Sequence, residues 1–561
     1  MSHSCQEGSE TTAAHDRAQD AINLADLPHS TKLFTDYLKH FERVAEFYSP
    51  IWTDAKSLPE SAAKIAAQEY RRDELVDALI EQNKRYGSGD LTFQYLEELR
   101  TTDSVAIVSG QQAGLFTGPL YTIMKALSVA KQTVCLREQG IKAVPVFWVA
   151  SEDHDFAEVN HCRIVDQDGR LVKISMDNCP APQAQPVGHI HLCAEITGHI
   201  EQFLQSLPDT EFRNQISEIL RKAYAPGTGF ADAFSKVMAR LLRPFGVILL
   251  DPLDPKLKAL CADLYQQALA HSSDVVKAVV SQTENLTKAG YHAQVHVEPD
   301  AVPLFAIHKG RREALVRDGN NFYLKHGRKP FGTVDEVVDR AAADPSAFSP
   351  NVTMRPVVQD TLLPTLAYIA GPSELAYFAQ IKPIYKMIGR IEPRIIPRGG
   401  GTLIDHATGK TLKKYNLKLH DFFEGSEALF KKIVEEVTDR GTAETFDEVS
   451  TAISSELDRL RNALNSVDPT LAASLDNRRK KIEYHLSNLR GKFIRSRASQ
   501  DEMAHARILA AQSILYPNKN LQEREINVFS FIARDGFGVL DQIYESIDVG
   551  AGLHQLIHLE P

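Results

Sequence analysis

Apolar residues in the first part of the chain recur every three or four positions. "ESAAKIAAQEYRRDELVDALIEQNKRYG" carries that spacing and stops at Gly87, so residues 31–100 read as helical. The pattern then changes. "SVAIVSG" is a short, β-branched apolar run, the mark of a buried strand. Helical spacing returns through Leu120, Ile123, Met124, Leu127 and Ala130, as far as Gln139, before "VPVFWVA" (Val144–Ala150) reads as a second buried strand. Strand, glycine-bearing loop, helix and strand in this order predict a βαβ unit with a right-handed crossover. Further strand-like runs are "GVILLD", "LAYIAG" and "RIIPRG", with helical stretches between them, notably Pro255–Ala289. The segment "HAQVHVEPDAVPLFAIHKGRREALVRDGNNFYL" alternates instead and turns at Asp318-Gly319-Asn320, which predicts antiparallel strands inserted into an α/β core. Residues 155–245 read as another insertion, partly helical.

Over 421–512 the character shifts again. Val449, Ile453, Leu457, Leu460, Leu464 and Val467 alternate intervals of four and three on a charged background. Leu471, Leu475, Ile482, Leu486, Leu489 and Phe493 continue the series after "DPT", where Asp468 can cap a helix that opens on Pro469. Two long helices are expected, as a coiled coil folded into a hairpin or paired with another subunit; an ordinary helical domain fits the same spacing. The tail "LQEREINVFSFIARDGFGVLDQIYESI" is apolar and aromatic once more and is expected to return to the core.

Composition narrows the class. A chain of 561 residues is too long for one core, and 43% hydrophobic with 24% charged residues is the balance of folded globular domains. No run approaches the roughly 18 apolar residues of a membrane span. "MSHSCQEGSETTAAHDRAQD" lacks a basic-then-apolar signal pattern, so residues 1–20 are expected to be a disordered tail of a cytoplasmic protein. The net charge of −10 argues against a general nucleic-acid binder while leaving room for a local basic pocket. Six cysteines without a CxxC pair read as reduced thiols. The spacing of Cys162, Cys179 and Cys193 among His161, His189 and His191 is too irregular for a recognised zinc site.

Three stretches could carry chemistry. In "SGQQAGLFTGPLYTIMKAL" (109–127), Gly110, Gly114 and Gly118 allow close backbone approach, and Pro119 suits a helix start whose free N–H groups would attract an anion. The glycine spacing matches neither the dinucleotide fingerprint nor the P-loop, so a plain tight turn stays open. "ASEDHDFAEVNH" follows the next strand, and loops after neighbouring parallel strands share one crevice. An imidazole among carboxylates can act as a base, a charge stabiliser or a metal ligand; a solvated helix start is the plainer alternative. In "MRPVVQDTLLPTLAYIAGPSELAYFAQIKPIY", Arg355 could bind a carboxylate or form a structural ion pair, and Glu374 could bind a ligand amine or complement a helix dipole.

Together, "SGQQAGLFTGPLYTIMKAL", "PVFWVASEDHDFAEVNH", "RPVVQDTLLPTLAYIAGPSELAYFAQ" and "LQERE" closely resemble the bacillithiol biosynthesis cysteine-adding enzyme family, in order over nearly the whole chain. The resemblance implies an α/β fold: a Rossmann-type parallel-sheet core with connecting-peptide insertions, plus an α-helical coiled-coil domain that pairs subunits into a homodimer. The expected division is a tail over 1–20, a core over 21–420 with insertions near 155–245 and 290–350, a coiled coil over 421–512, and 513–561 returning to the core. The implied reaction joins the carboxyl of L-cysteine to the amine of glucosaminyl malate, with no nucleic-acid or membrane partner. An amide does not form from a free carboxylate in water without activation; ATP or another nucleotide fits, and the cosubstrate is left unassigned. Neither the two-histidine nor the Lys-Ser-Lys signature of class I aminoacyl-tRNA synthetases is intact. Candidate catalytic residues are His154, Asp155 and Asp153. Candidate substrate-binding residues are Gln111, Gln112, Gly114, Thr117, Gly118 and Tyr121, then Asn160 and His161, then Arg355, Gln359, Glu374 and Tyr377. Lys125 falls inside the helix rather than in the loop, and no metal site is assigned. Two other readings fit the residues: another nucleotide-binding, amide-forming enzyme of thiol metabolism, and a non-catalytic coiled-coil dimer that senses a metabolite. Metal-dependent hydrolysis through Asp153, His154, Asp155 and His161 would lack a recognised ligand spacing.

Overall fold

The run Val105–Gln111 forms β1, buried at every position but the last. A strand covered on both faces has no polar alternation, which explains the continuous apolar run in the sequence. Next come α1 (Tyr121–Glu138) and β2 (Ala143–Val149). The helices Ile196–Ser206, Glu211–Ala223 and Phe230–Leu241 precede the short β3 (Ile248–Leu250). An antiparallel group follows: β4 (Ala301–His308), β5 (Arg311–Asp318), β6 (Asn321–Leu324), β7 (Lys329–Thr333) and β8 (Phe348–Pro350). The chain then runs through α2 (Arg355–Leu362), β9 (Thr365–Ala370), α3 (Pro372–Ile388) and β10 (Arg394–Pro397). This computed structural model describes residues 21–49, 51–177, 183–425, 428–429, 432–433, 440–500 and 502–560. The expected tail over 1–20, with Cys5, and also Cys179 lie outside the described residues.

Five strands make one parallel sheet in the spatial order β10-β9-β1-β2-β3. From β1 the chain moves outward to β2 and β3, then returns to the other side at β9. The order therefore reverses between β1 and β9, and loops leaving their carboxyl ends diverge there to open a crevice. Pro145 can sit inside β2 because β3 pairs only with Val146, Phe147 and Trp148 beyond it. The antiparallel strands form their own sheet, in the order β7-β6-β5-β4-β8. Asp318 pairs with Asn321 across the Gly319-Asn320 turn. β7 carries a proline and a glycine, which mask its strand signal in the sequence.

Two helical expectations are modified. The helix ending at Gly87 breaks into Leu58–Ala66 and Arg72–Tyr86, because Arg72 is drawn inward to donate to Leu99 O and Ser104 Oγ, both at 2.9 Å. Pro255–Ala289 divides into Pro255–Leu260, Ala262–Ala270 and Ser272–Lys288. Cys162 and Cys261 are free and buried, whereas Cys135 and Cys193 are disulfide-bonded, contrary to the reading of every cysteine as a reduced thiol. Spacing alone carried no trace of those bonds. Among the described residues no helix is long and apolar enough to cross a membrane.

The chain divides into two compact units. The first takes in residues up to Gln167, Val172–Leu403 and Glu523–Leu559; the second comprises Asp168–Leu171, Ile404–Gln522 and Glu560–Pro561. Within the first unit, the C-terminal strand Leu553–His558 pairs antiparallel with Ala21–Asn23. Within the second, α4 (Arg440–Asn465) and α5 (Pro469–Gln500) form a helical hairpin. Asp468 Oδ1 accepts from Thr470 N–H at 2.8 Å and caps α5, which opens on Pro469. Cross-helix pairs are Arg461–Asp476 at 3.2 Å and Arg490–Asp447 at 2.7 Å, with the Phe446 and Phe493 rings 5.7 Å apart.

Candidate active-site cleft

A cleft of about 530 Å³ opens at the crevice between β1 and β9, a volume typical of small-molecule sites. Gly110, Gln111 and Gln112 reach it from the end of β1, Trp148 and Ala150 from β2, and Tyr368 and Gly371 from β9. Gly110 must be a glycine, since a Cβ there would lie 2.8 Å from Trp148 O on the neighbouring strand. On the floor, Lys125 Nζ donates to Gly110 O at 2.9 Å and to Gln111 Oε1 at 3.0 Å, and pairs with Glu374 Oε2 at 2.6 Å. An ammonium has three donors, and all are engaged. Burial pulls the Lys125 pKa below the ordinary lysine range despite Glu374, with Arg398 and Arg355 adding to the effect. Glu374 also accepts from Tyr368 OH at 2.6 Å and from Gly371 N–H at 2.7 Å. Burial would raise its pKa, but Lys125 and these hydrogen bonds outweigh that and hold the carboxyl below its ordinary value.

Arg355, at the start of α2, lies 6.0 Å from the centre of the Trp148 ring. Its Nη1 donates to Gln359 Oε1 at 3.0 Å, and its Nη2 donates to Tyr377 OH at 2.8 Å and Tyr368 OH at 3.4 Å. Its Nε–H and one Nη1 hydrogen have no partner among the described residues, so the guanidinium can still grip a ligand. Arg398, after β10, is buried and paired in bidentate fashion with Glu523. Four cations line the cleft (Lys125, Arg355, Arg398 and Arg524) against two carboxylates, Glu158 and Glu374, so the space favours an anionic ligand.

A second chamber of about 420 Å³ adjoins the first, sharing Trp148, Ala150, Val352 and Arg355, and runs beneath β4 and β5. Asp153 lines it. The Gln112 amide ties the two loops together, donating to Asp153 Oδ2 at 2.7 Å and Glu158 Oε2 at 2.6 Å. His154 Nδ1 meets Arg312 Nη1 at 2.9 Å. A guanidinium only donates, so the neutral ring keeps its proton on Nε2. Burial, helped by Arg312, lowers the His154 pKa and favours that neutral form.

Two models of one family match the chain: "Bacillithiol biosynthesis BshC, N-terminal Rossmann-like domain" over residues 20–399, and "Bacillithiol biosynthesis BshC, C-terminal coiled-coil domain" over 401–559. This chain belongs to the BshC family. The "Putative cysteine ligase BshC" of Solibacter usitatus is 34% identical over 537 residues, covering 96% of this chain and 99% of that protein. The proteins of the same name from Koribacter versatilis and Salinibacter ruber are 35% and 34% identical, covering 94% of this chain and 97% and 96% of their own lengths.

In this BshC-family chain the expected site residues divide. Gln111, Gln112, Tyr121, Arg355, Glu374 and Tyr377 come together around the first chamber, with Gln359 buried behind Arg355. Gly114, Thr117 and Gly118 do not line it. The glycine loop turns inward, with Phe116 and Thr117 at φ of 50° and 81°, and Asn527 Nδ2 donates to Phe116 O and Gly118 O at 2.7 Å each. The expected anion-attracting helix start is also occupied: Leu120 N–H donates to Ile526 O at 2.8 Å, and the helix begins at Tyr121 rather than Pro119. Asp155 caps the short helix Phe156–Val159, and Asn160 and His161 face each other and Asp177, outside both chambers. Among the described residues no three His, Cys, Asp or Glu side chains are grouped to hold a metal. Lys125, Arg398 and Arg524 are cleft residues absent from the expected set, although Lys125 stands in the glycine-loop stretch and Arg524 in "LQERE". Arg398 was detectable in principle, because "RIIPRG" places it just past a strand end, as "SEDHDF" does its own residues.

Proposed function

We propose that this protein is a cysteine ligase of bacillithiol biosynthesis, forming the amide between the carboxyl of L-cysteine and the amine of glucosaminyl malate. The observation that carries the reading is the cation-rich cleft at the sheet's reversal point, in a chain whose relatives of matching length bear that ligase name. A sugar amine bearing a dicarboxylate needs cations for its malate half and a carboxylate for its ammonium. Arg355, with N–H groups to spare, and Glu158 supply groups of those kinds. The adjoining chamber offers room for the second reactant, and the two spaces meet at Arg355 and Trp148.

In the reaction the sugar ammonium first releases a proton to water, and the nitrogen lone pair then attacks the activated cysteine carboxyl carbon. The bond to the leaving group breaks with its electron pair going to that group, and the second nitrogen proton passes to water as the amide forms. A nucleoside triphosphate would supply that activation as a cosubstrate. His154 lines neither chamber and acts through Arg312, which lines the second: its unprotonated Nδ1 accepts from Arg312 Nη1 and orients that guanidinium toward developing negative charge. Lys125 and Glu374 fix Gln111 and Tyr368 in place. The coiled-coil hairpin pairs two copies, a reading supported by apolar side chains left exposed along α4 and α5.

The deciding experiment incubates purified protein with glucosaminyl malate, L-cysteine and ATP, and follows bacillithiol and the fate of ATP by mass spectrometry. Product with stoichiometric nucleotide cleavage is expected. No product with any nucleotide or metal supplement would overturn the ligase reading.

A further inference from the structure

The segment after the coiled coil, "ERE" at 523–525, has no role so far, although Arg524 lines the cleft and Glu523 grips another residue that does. Glu523 is 1% exposed and grips Arg398: its Oε2 accepts from Nη1 at 2.9 Å and its Oε1 from Nη2, while Oε2 also accepts from Gly401 N–H at 3.2 Å. Burial alone would raise the Glu523 pKa, but Arg398 drives it down to about 2. Arg398 thus has one edge fixed to Glu523, and its Nε lies 3.9 Å from the point where a Cβ on Gly371 would stand, at the cleft lining.

Arg524, the next residue, is exposed and lines the same cleft, and no hydrogen bond or ion pair engages its guanidinium among the described residues. Its backbone is nevertheless held on both sides. Glu523 anchors one side; on the other, Glu525 pairs with Arg163 at 3.3 Å and Asn527 N–H donates to Arg163 O at 2.7 Å. A flexible surface arginine needs no such mounting. A free guanidinium on a pinned backbone, beside a second guanidinium oriented from behind, is an arrangement for reading a carboxylate through paired N–H donors.

We propose that Arg524 and Arg398 form a carboxylate clamp that selects the dicarboxylate end of the substrate, with Glu523 as the positioning residue for Arg398. The proposal rests on the ligase reading for the identity of that substrate. It predicts that Arg524→Ala raises KM and Kd for glucosaminyl malate about tenfold or more, the usual scale for a lost charge-assisted hydrogen bond. KM for cysteine stays unchanged, and the salt dependence of glucosaminyl malate binding becomes shallower. Arg524→Lys, which keeps charge but not the fork, falls between. Glu523→Gln raises the same KM with little change in kcat, and Glu523→Asp restores part of the loss. A purely structural role for Glu523 would lower kcat and both KM-linked efficiencies together, and would remove Glu523 from the clamp.

Calorimetric titration of wild type and Arg524→Ala with glucosaminyl malate, and separately with L-malate, separates the possible failures. Equal affinities in both proteins overturn the clamp and leave the ligase reading intact. Binding of L-malate but not glucosaminyl malate, weakened by Arg524→Ala, upholds the clamp while removing the ligase reading. Binding of neither compound by the wild type overturns both.

Discussion

Glu374 joins a strand, a helix start and a buried ammonium through one carboxylate. Removing one partner of such a pair leaves the other charge buried and uncompensated, at a cost of about 3 kcal/mol or more. Glu374→Gln is therefore expected to lower unfolding free energy by about that amount. The double variant Lys125→Met/Glu374→Gln should recover most of the loss in a urea-denaturation cycle, while remaining impaired in activity because Gln111 has lost its anchor. A double variant no more stable than Glu374→Gln would show that the pair is not the source of the effect. Asp251, buried at the end of β3 beside Ser151, bears on pH dependence: burial raises its carboxyl from 3.8 to about 6. Between these values the folded chain holds a proton that the unfolded chain has released. Its contribution to stability therefore falls as pH rises through that window and is constant above it. Asp251→Asn keeps an acceptor oxygen for Ser151 and the Leu253 N–H without titrating. Relative to wild type, it should gain on the order of 1 kcal/mol in urea unfolding between pH 5 and pH 8. Parallel pH profiles would mean that Asp251 ionises at its ordinary value. The sequence shows Glu374 as an acid at a helix start but carries no sign of its pairing with Lys125, and Asp251 is a single acid near a strand end.

At the scale of elements, the glycine loop shows where sequence reading succeeds and where it stops. Its glycines mark a tight chain path, and the path is tight: a Cβ on Gly114 would meet Gly118 Cα at 2.8 Å. What the loop is for was not legible, because its partner lies 409 residues away at Asn527, and long-range pairing leaves no local pattern. The loop is a keystone under strain, since the β-branched Thr117 occupies a left-handed conformation that only surrounding contacts can hold. The part that faces the cleft is instead the two glutamines that precede it: Gln111 is held by Lys125, one helical turn beyond Tyr121, and Gln112 donates to Asp153 and Glu158. Asn527→Ala would leave Phe116 O and Gly118 O as buried, unpaired acceptors, a cost of roughly 3 kcal/mol. Amide hydrogen exchange should accelerate across 114–120 as well, where the neighbouring chain loses its clasp. Unchanged exchange there, with unchanged stability, would remove Asn527 as the keystone.

For the whole molecule, the strands of the parallel sheet were legible because each is a continuous buried run, and the reversal between β1 and β9 follows from their spatial order. Cations delivered from four separate places could be recognised only once the fold gathered them. The helical hairpin poses the complementary question, since one pair of helices leaves part of its apolar series uncovered. Two helices bury only the seam between them, and here Leu460, Leu471, Ile482 and Leu489 stay exposed, Leu489 at 56%. An apolar heptad series left in water is what a further helix pair would cover. Placing charges on that series should therefore break assembly without unfolding the hairpin. The cross-helix pairs Arg461–Asp476 and Arg490–Asp447, and the Phe446–Phe493 contact, would all survive. Sedimentation of the full chain is expected to give a dimer, and Ile482→Glu/Leu489→Glu a monomer with unchanged helical circular dichroism. Asn477→Glu, at an exposed polar position of α5, should leave the dimer intact. A dimer that persists in the double variant would place the pairing surface elsewhere, and monomers in all three proteins would remove the pairing altogether.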